Sequence, residues 1–448
     1  MYALKKMNPK SAINPEKAVY FAAVVYTTFV FGSMAMMSIG AGLVFAVWVF
    51  CRFGKLKSEL KAYGKSPLAL PSLVLSAACL WSLIWASISG LEFYGEKPKI
   101  DWVQDSRKLW HIAFPFIFAA LLSRLSETRL RRVTKIWLFA GLASALLGIA
   151  QYYVPFYKPM LLPHTVYEGY SQGGGLWGAL RGKYHATGLA GFHLSYASIM
   201  AFPALVWLSI AAVLYRRVGV KKSVAIASGV FLLFFLANIL TYSKIAWISM
   251  PLAAMATALF GFKGRSRVVV IAAVVVASIA WSTSSEFQLR FKGLYGDNYS
   301  IKERFAVWSA NVEMIKQHPF FGVGWHHNAA LTEPYFRSTG ELNPFVSHAH
   351  NNLLDQWAST GLLGMLAFLW WNCVVFVMSF RIYKFNHTLL WRGLGLGLMS
   401  GWLCLHLNGL TQSNWWDAKV LHQITWITAL TLELHRRHQA HAAARQKR

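Results

Sequence analysis

The 448-residue chain is 56% hydrophobic, 15% aromatic and only 14% charged, yet it carries a formal net charge of +27. Its apolar runs recur along most of the length and are long enough to cross a ~30 Å hydrocarbon slab at ~1.5 Å per helical residue, which marks a membrane protein rather than a soluble one. The expected fold class is an all-α polytopic membrane protein.

In chain order, hydrophobic spans are expected near 17–34, 37–53, 67–90, 109–125, 133–153, 187–215, 223–241, 245–262, 267–281, 353–380, 389–410 and 416–434, twelve in all, within one integral membrane domain over 1–448. The first 17 residues are polar and basic and no A-x-A cleavage pattern follows, so the first span reads as a retained helix. With the N-terminus inside, cytoplasmic segments hold 29 of the 44 basic residues and 4 of the 17 acidic ones. Such asymmetry reflects retention of positive charge on the cytoplasmic side, so both termini are expected there and no nucleic-acid partner is expected. Cys51, Cys79, Cys373 and Cys404 fall within or at the ends of spans and form no C-x-x-C, so neither a disulfide framework nor a thiolate metal site is indicated.

Three outer segments are long enough to hold structure: 91–108, 154–186 and above all 282–352, a partly helical loop subdomain between the ninth and tenth spans. Within it, Ile301, Phe305, Trp308, Val312 and Ile315 recur every three or four residues, which predicts an amphipathic helix ending before Pro319 and lying at the membrane interface. "FFGVGWHHN" reads as a loop, and a helix is expected to restart with Pro344 or Ser347 near its first turn, placing His350 near the N-terminus of the tenth span. On a continuous helix Gly361 would lie ~20° from His350 around the axis and ~16 Å deeper, with Gly364 ~40° to the other side, a small-residue stripe suited to close helix packing.

His350 faces the outer aqueous side, where the positive end of a helix dipole favours the neutral imidazole that accepts a proton. A plain interfacial histidine is the competing reading. Metal binding by His326, His327, His348 and His350 is another, but adjacent histidines point apart and no H-E-x-x-H completes a set, so neither metal nor cofactor is expected. Arg304, in the amphipathic helix, and Lys244, in the short turn "LTYSKIAW", are isolated outer cations that suit an anionic headgroup. Arg181 follows a glycine-rich stretch that would let backbone N–H groups approach phosphate, although such a run is more often a flexible loop. Walker spacing fails there, since three residues rather than four separate Gly178 and Gly182, and no D-x-D or glycosidase-like pair of outer carboxylates is seen.

These residues resemble the O-antigen ligases and their relatives, the O-antigen polymerases and protein O-oligosaccharyltransferases. The ligase signature is His, then Asn, Ser or Gln, nine residues, then G-x-x-G, matched by His350, Asn351, Gly361 and Gly364. A second likeness is the run of Arg304, Trp308 and H-P-x-x-G-x-G, supplied by His318, Pro319, Gly322 and Gly324; "RGKYHATGLAGFHLSYAS" and "LTYSKIAW" are weaker ones. The similarity covers roughly residues 180 to 365. Lys244 departs from the Arg that such proteins more often show, losing bidentate phosphate geometry, and Ser359 stands where an acid is frequent.

The resemblance implies transfer of a glycan from undecaprenyl diphosphate to a sugar hydroxyl of the lipid A core, on the periplasmic face of a bacterial inner membrane. His350 would act as general base, Arg304, Arg181 and Lys244 would offset charge on the departing diphosphate, and Asn351, His348 or Asp355 would orient His350 or the acceptor. A single displacement of this kind inverts the anomeric centre and needs no metal. Within the same class a polymerase joining repeat units differs only in its acceptor. From another class, a transporter of lipid-linked glycan would place polar residues near the bilayer midplane, whereas here polarity gathers at the outer rim.

Overall fold

The computed structural model describes residues 14–52, 63–153, 185–292, 299–340 and 346–446. Among them the regular structure is α-helical, with one isolated antiparallel bridge, Phe93 to Glu96. The helices are α1 (Pro15–Phe29), α2 (Met34–Arg52), α3 (Ala69–Ile88), α4 (Trp102–Ser106), α5 (Trp110–Leu122), α6 (Glu127–Tyr153), α7 (His193–Val218) and α8 (Lys222–Ile239). They continue with α9 (Ala246–Gly261), α10 (Gly264–Ser282), α11 (Ser285–Lys292), α12 (Tyr299–Gln317), α13 (Thr332–Ser338), α14 (Asn352–Phe385), α15 (Leu389–Asn408) and α16 (Ala418–Gln446).

Every expected span coincides with a helix, and seven of these (α2, α3, α6, α7, α8, α10 and α14) are long and apolar enough to cross a membrane. The chain is an all-α polytopic membrane protein. The other five expected spans are shorter or more polar helices. α5, at 13 residues, reaches only ~20 Å, and α16 has polar side chains such as Gln423, Thr428 and Glu433 buried within the protein rather than facing lipid. α7 runs through the middle and is buried along nearly its whole length, packing chiefly against α15 and α8. α10 stands at the edge, with no buried residue.

Two expectations about the outer region change. The buried face of α12 is Val307, Ala310, Asn311 and Met314, while Phe305 and Val312 are exposed. The helix is therefore apolar on two sides, one turned to the protein and one outward. More consequentially, α14 does not contain His350. Its N-cap is Asn351, whose side-chain Oδ1 accepts from the Leu353 and Leu354 amides at 2.9 and 3.1 Å. Ser347 does not cap it, and Pro344 lies outside the described residues.

Nor is α14 continuous. Gly361 sits at φ 68°, ψ −173°, breaking the helix ten residues after its start. The part beyond the break is still ~36 Å long, enough for a membrane, and the part before it is a short helix from Asn352 to Thr360. The expected glycine stripe under His350 is thus not formed. Instead, Gly361 takes the backbone of Phe320 and Phe321 where its Cβ would be, at 2.1–2.4 Å, and Gly322 likewise takes Ser359 and Gly361 at 2.5–2.6 Å. Both have positive φ, so each is glycine for conformational and steric reasons together. The break frees carbonyl and amide groups, which the facing loop satisfies: Val323 N donates to Ala358 O at 2.9 Å, Gly324 N to Ser359 O at 3.1 Å, and Leu362 N to Pro319 O at 2.8 Å.

Candidate functional site

The break and the cap define a short platform, and the segment Ser347 to Asn351 is fixed on it from several sides. Trp308 Nε1 donates to Ala349 O at 2.8 Å, tying α12 to the histidine segment. Ala349 N donates to Asp355 Oδ1 at 3.3 Å, and Ser347 N to Thr332 Oγ1 at 3.4 Å. Asn351 Nδ2 reaches Leu410 O at 3.0 Å, and Asn352 N donates to Gly409 O at 2.7 Å, so the turn after α15 holds the other flank. So constrained, His350 adopts φ 47°, a left-handed conformation rare for its residue type.

His350 is half-buried, with Nε2 3.1 Å from Ser347 Oγ and its ring centroid 4.3 Å from that of His348. Burial first, then His348 and the Arg304 guanidinium, lower its pKa from 6.5 to about 4. The imidazole is neutral, and the causes are burial and neighbouring positive groups. Arg304 thus acts electrostatically on His350.

His348, His350 and Asp355 line one cavity of about 470 Å³, together with Lys108, His326 and Asp417. Asp355 is 5% exposed and takes Asn328 Nδ2 at 2.9 Å; the same amide group donates to Asn311 Oδ1 at 2.9 Å. Asp355 therefore supports the Ala349 amide and the Asn328 amide. Asn351 spends its own side chain on the cap and on Leu410.

Lys244 follows Ser243, whose Oγ accepts from Gln412 Nε2 at 3.2 Å, and Gln412 lines the cavity, so the Lys244 turn abuts its wall. Tyr242 in that turn is itself at φ 54° and exchanges a 2.8 Å hydrogen bond with Tyr152. Arg181 lies outside the described residues.

Sequence reasoning misses the cavity residues Lys108 and Asp417, and weighs His326 only as a metal ligand. Lys108 donates to Trp416 O at 3.0 Å; burial lowers its pKa, while Asp355 and Asp417 counter that. His326, at φ 65°, lies against Trp325 and Trp416, and its buried Nε2 has no hydrogen-bond partner among the described residues. Burial and then Lys108 hold it well below the usual histidine range. Asp417 caps α16 through Oδ1 and accepts from Ser195 Oγ at 2.5 Å through Oδ2. The available signals are thin: Lys108 opens a span like any rim lysine, and Asp417 looks like any helix cap.

His327 turns away from the cavity to Asp105 in α4, 2.8 Å off, so the two adjacent histidines point apart as expected. Among the described residues no group of three or more His, Cys, Asp or Glu side chains is arranged to hold a metal ion. What the cavity offers is the neutral imidazoles of His326 and His350 beside cations, walled by hydroxyl, amide and carboxylate groups. That arrangement suits proton removal from a hydroxyl next to an anionic leaving group.

No curated protein matches the chain. Residues 229–369, from within α8 to the middle of α14, match the O-antigen ligase family model, and they contain the break, the glycine pair, Lys244, Arg304 and the His350 segment. Over that segment the chain is similar to the O-antigen ligase family.

Proposed function

We propose that the protein is a glycosyltransferase that moves a glycan from undecaprenyl diphosphate to a sugar hydroxyl of the lipid A core. The observation that carries this reading is His350, held neutral in a polar cavity and electrostatically coupled to Arg304. The acceptor hydroxyl is a poor nucleophile; His350 removes its proton as the oxygen attacks the anomeric carbon and the bond to the diphosphate breaks. Arg304 and Lys244, with Arg181, offset charge building on the diphosphate. Diphosphate is a good leaving group, so the step needs no general acid or metal, and one displacement inverts the anomeric centre. Asp355 and Asn351 position the segment that carries His350, through Ala349 and the helix cap respectively, while His348 stands beside the base.

A pKa of about 4 makes His350 a weak base in the free protein. An anionic diphosphate bound beside Arg304 opposes the positive groups that lower it, so donor binding raises the basicity of His350 where it is used. The basic ends of the helices opposite the site are taken as cytoplasmic, which puts both termini inside and the cavity on the periplasmic face of a bacterial inner membrane.

The test is incubation of purified protein with a lipid-diphosphate-linked glycan and lipid A core, without ATP or divalent ions, and analysis of the products on a gel. A retarded lipid A band that His350→Ala abolishes is the expected result. Longer donor chains beside unmodified lipid A would overturn the ligase reading in favour of a polymerase, and no product from either lipid would sink both.

A further inference from the structure

The second large cavity lies at the opposite end of the bundle, about 1040 Å³ in volume, between the α5–α6 turn, the α14–α15 turn and the C-terminal part of α16. Its lining includes Arg131, Arg436, Arg437, His387 and His438, with Glu127 the one carboxylate among the lining residues. Glu127 is already engaged by Trp391 Nε1 at 2.6 Å and by Arg131 at 2.9 Å. Below the floor, Glu433 is fully buried and anchors Arg436 at 2.7 Å and Arg437 at 2.6 Å, fixing both guanidinium groups in place. Arg436 and Arg131 nevertheless keep 45% and 42% of their side-chain surface exposed, so each has donors to offer.

The position is as telling as the charge. α14 ends at Phe385 and α6 begins at Glu127, so the cavity lies where membrane-crossing helices leave the bilayer. Phe385 is exposed, and Lys384 lies 5.2 Å from its ring centroid, an aromatic and basic rim of the kind found at headgroup level. We propose that this cavity binds a phosphate-bearing anion, the headgroup phosphate of an anionic membrane lipid or a free phosphate, between Arg131 and Arg436 with His387 beside them. Bound there, the anion ties together three chain segments that meet at this end.

The experiment uses the full chain, purified and exchanged into neutral detergent, and follows the thermal unfolding midpoint and retained lipid by native mass spectrometry. Cardiolipin, phosphatidylglycerol, phosphatidylcholine, and millimolar inorganic phosphate are added separately. The anionic lipids are expected to raise the midpoint by about 3 °C or more and to stay bound, with phosphatidylcholine doing neither. A shift with inorganic phosphate as large as with lipid supports the site and assigns it to the soluble ion. Arg131→Gln/Arg436→Gln, which leaves Arg437 on Glu433, is expected to lose the shift. If that protein fails to fold, Arg131→Gln/His387→Gln removes donors that Glu433 does not hold. Equal stabilisation by phosphatidylcholine, or undiminished binding of anionic lipid by a folded variant, overturns the proposal.

Discussion

At the end of the bundle that holds Glu433, opposite charges meet directly: Glu433 takes Arg436 and Arg437, and Arg437 goes on to Glu127 at 3.2 Å and to the Leu125 carbonyl at 2.6 Å. In the cavity that holds His350, the same kinds of group are kept apart. Lys108 donates to a carbonyl, Asp355 serves amides, Asp417 caps a helix, and the imidazoles are discharged by burial. Paired charges lock helices together and leave little to give to a substrate. Charges propped by neutral partners keep a field that a transition state can use.

The strongest way to break this comparison is His350→Ala. Glycan transfer is expected to fall by about 10²–10⁴-fold, the usual share of general base catalysis, while the unfolding midpoint moves little. Activity within tenfold of the parent would remove His350 from the chemistry. Gly361→Ala attacks the platform instead, since a Cβ there overlaps the Phe320 and Phe321 backbone at a positive φ. It is expected to cost about 3 kcal/mol or more of stability and to lower activity with it, read by thermal unfolding and by transfer assay on the same sample.

At the other end Glu433→Gln should do the reverse. It leaves two guanidinium groups short of a partner and costs about 2 kcal/mol in unfolding free energy, yet transfer per folded molecule should stay as it was. Arg304→Lys keeps the charge but loses the planar fork, and about a tenfold drop in kcat/KM for the diphosphate donor is expected, with Arg304→Gln larger. The subtlest test is pH. Under the proposed function His350 acts as base in its neutral form, so kcat/KM should fall as pH drops through about 4, and kcat should fall at a higher pH because bound donor raises the imidazole pKa. Coincident inflections near the ordinary histidine value would show that neither burial nor donor tunes it.

The comparison also sorts what the sequence made legible. Helix positions followed from apolar runs, because a bilayer demands them whatever the neighbours. His350, Arg304, Asp355 and His348 were legible as polar residues at an apolar rim and as a spaced signature. The break at Gly361 was not, since eleven residues of helical period read as unbroken helix until the facing Phe320–Gly322 loop supplies the partners that make breaking tolerable. Lys108 and Asp417 were overlooked because they reach the cavity from segments remote in sequence, a relation no local pattern encodes.

The left-handed backbone of His350 carries a consequence for any attempt to harden this protein. Asparagine and glycine occupy φ near 47° more comfortably than histidine does, so His350→Asn or His350→Gly should raise the unfolding midpoint as it silences transfer. A search for thermostable variants that scores folding alone would drift toward those substitutions. Durability and turnover compete for this one position, and selection for either must hold the other fixed.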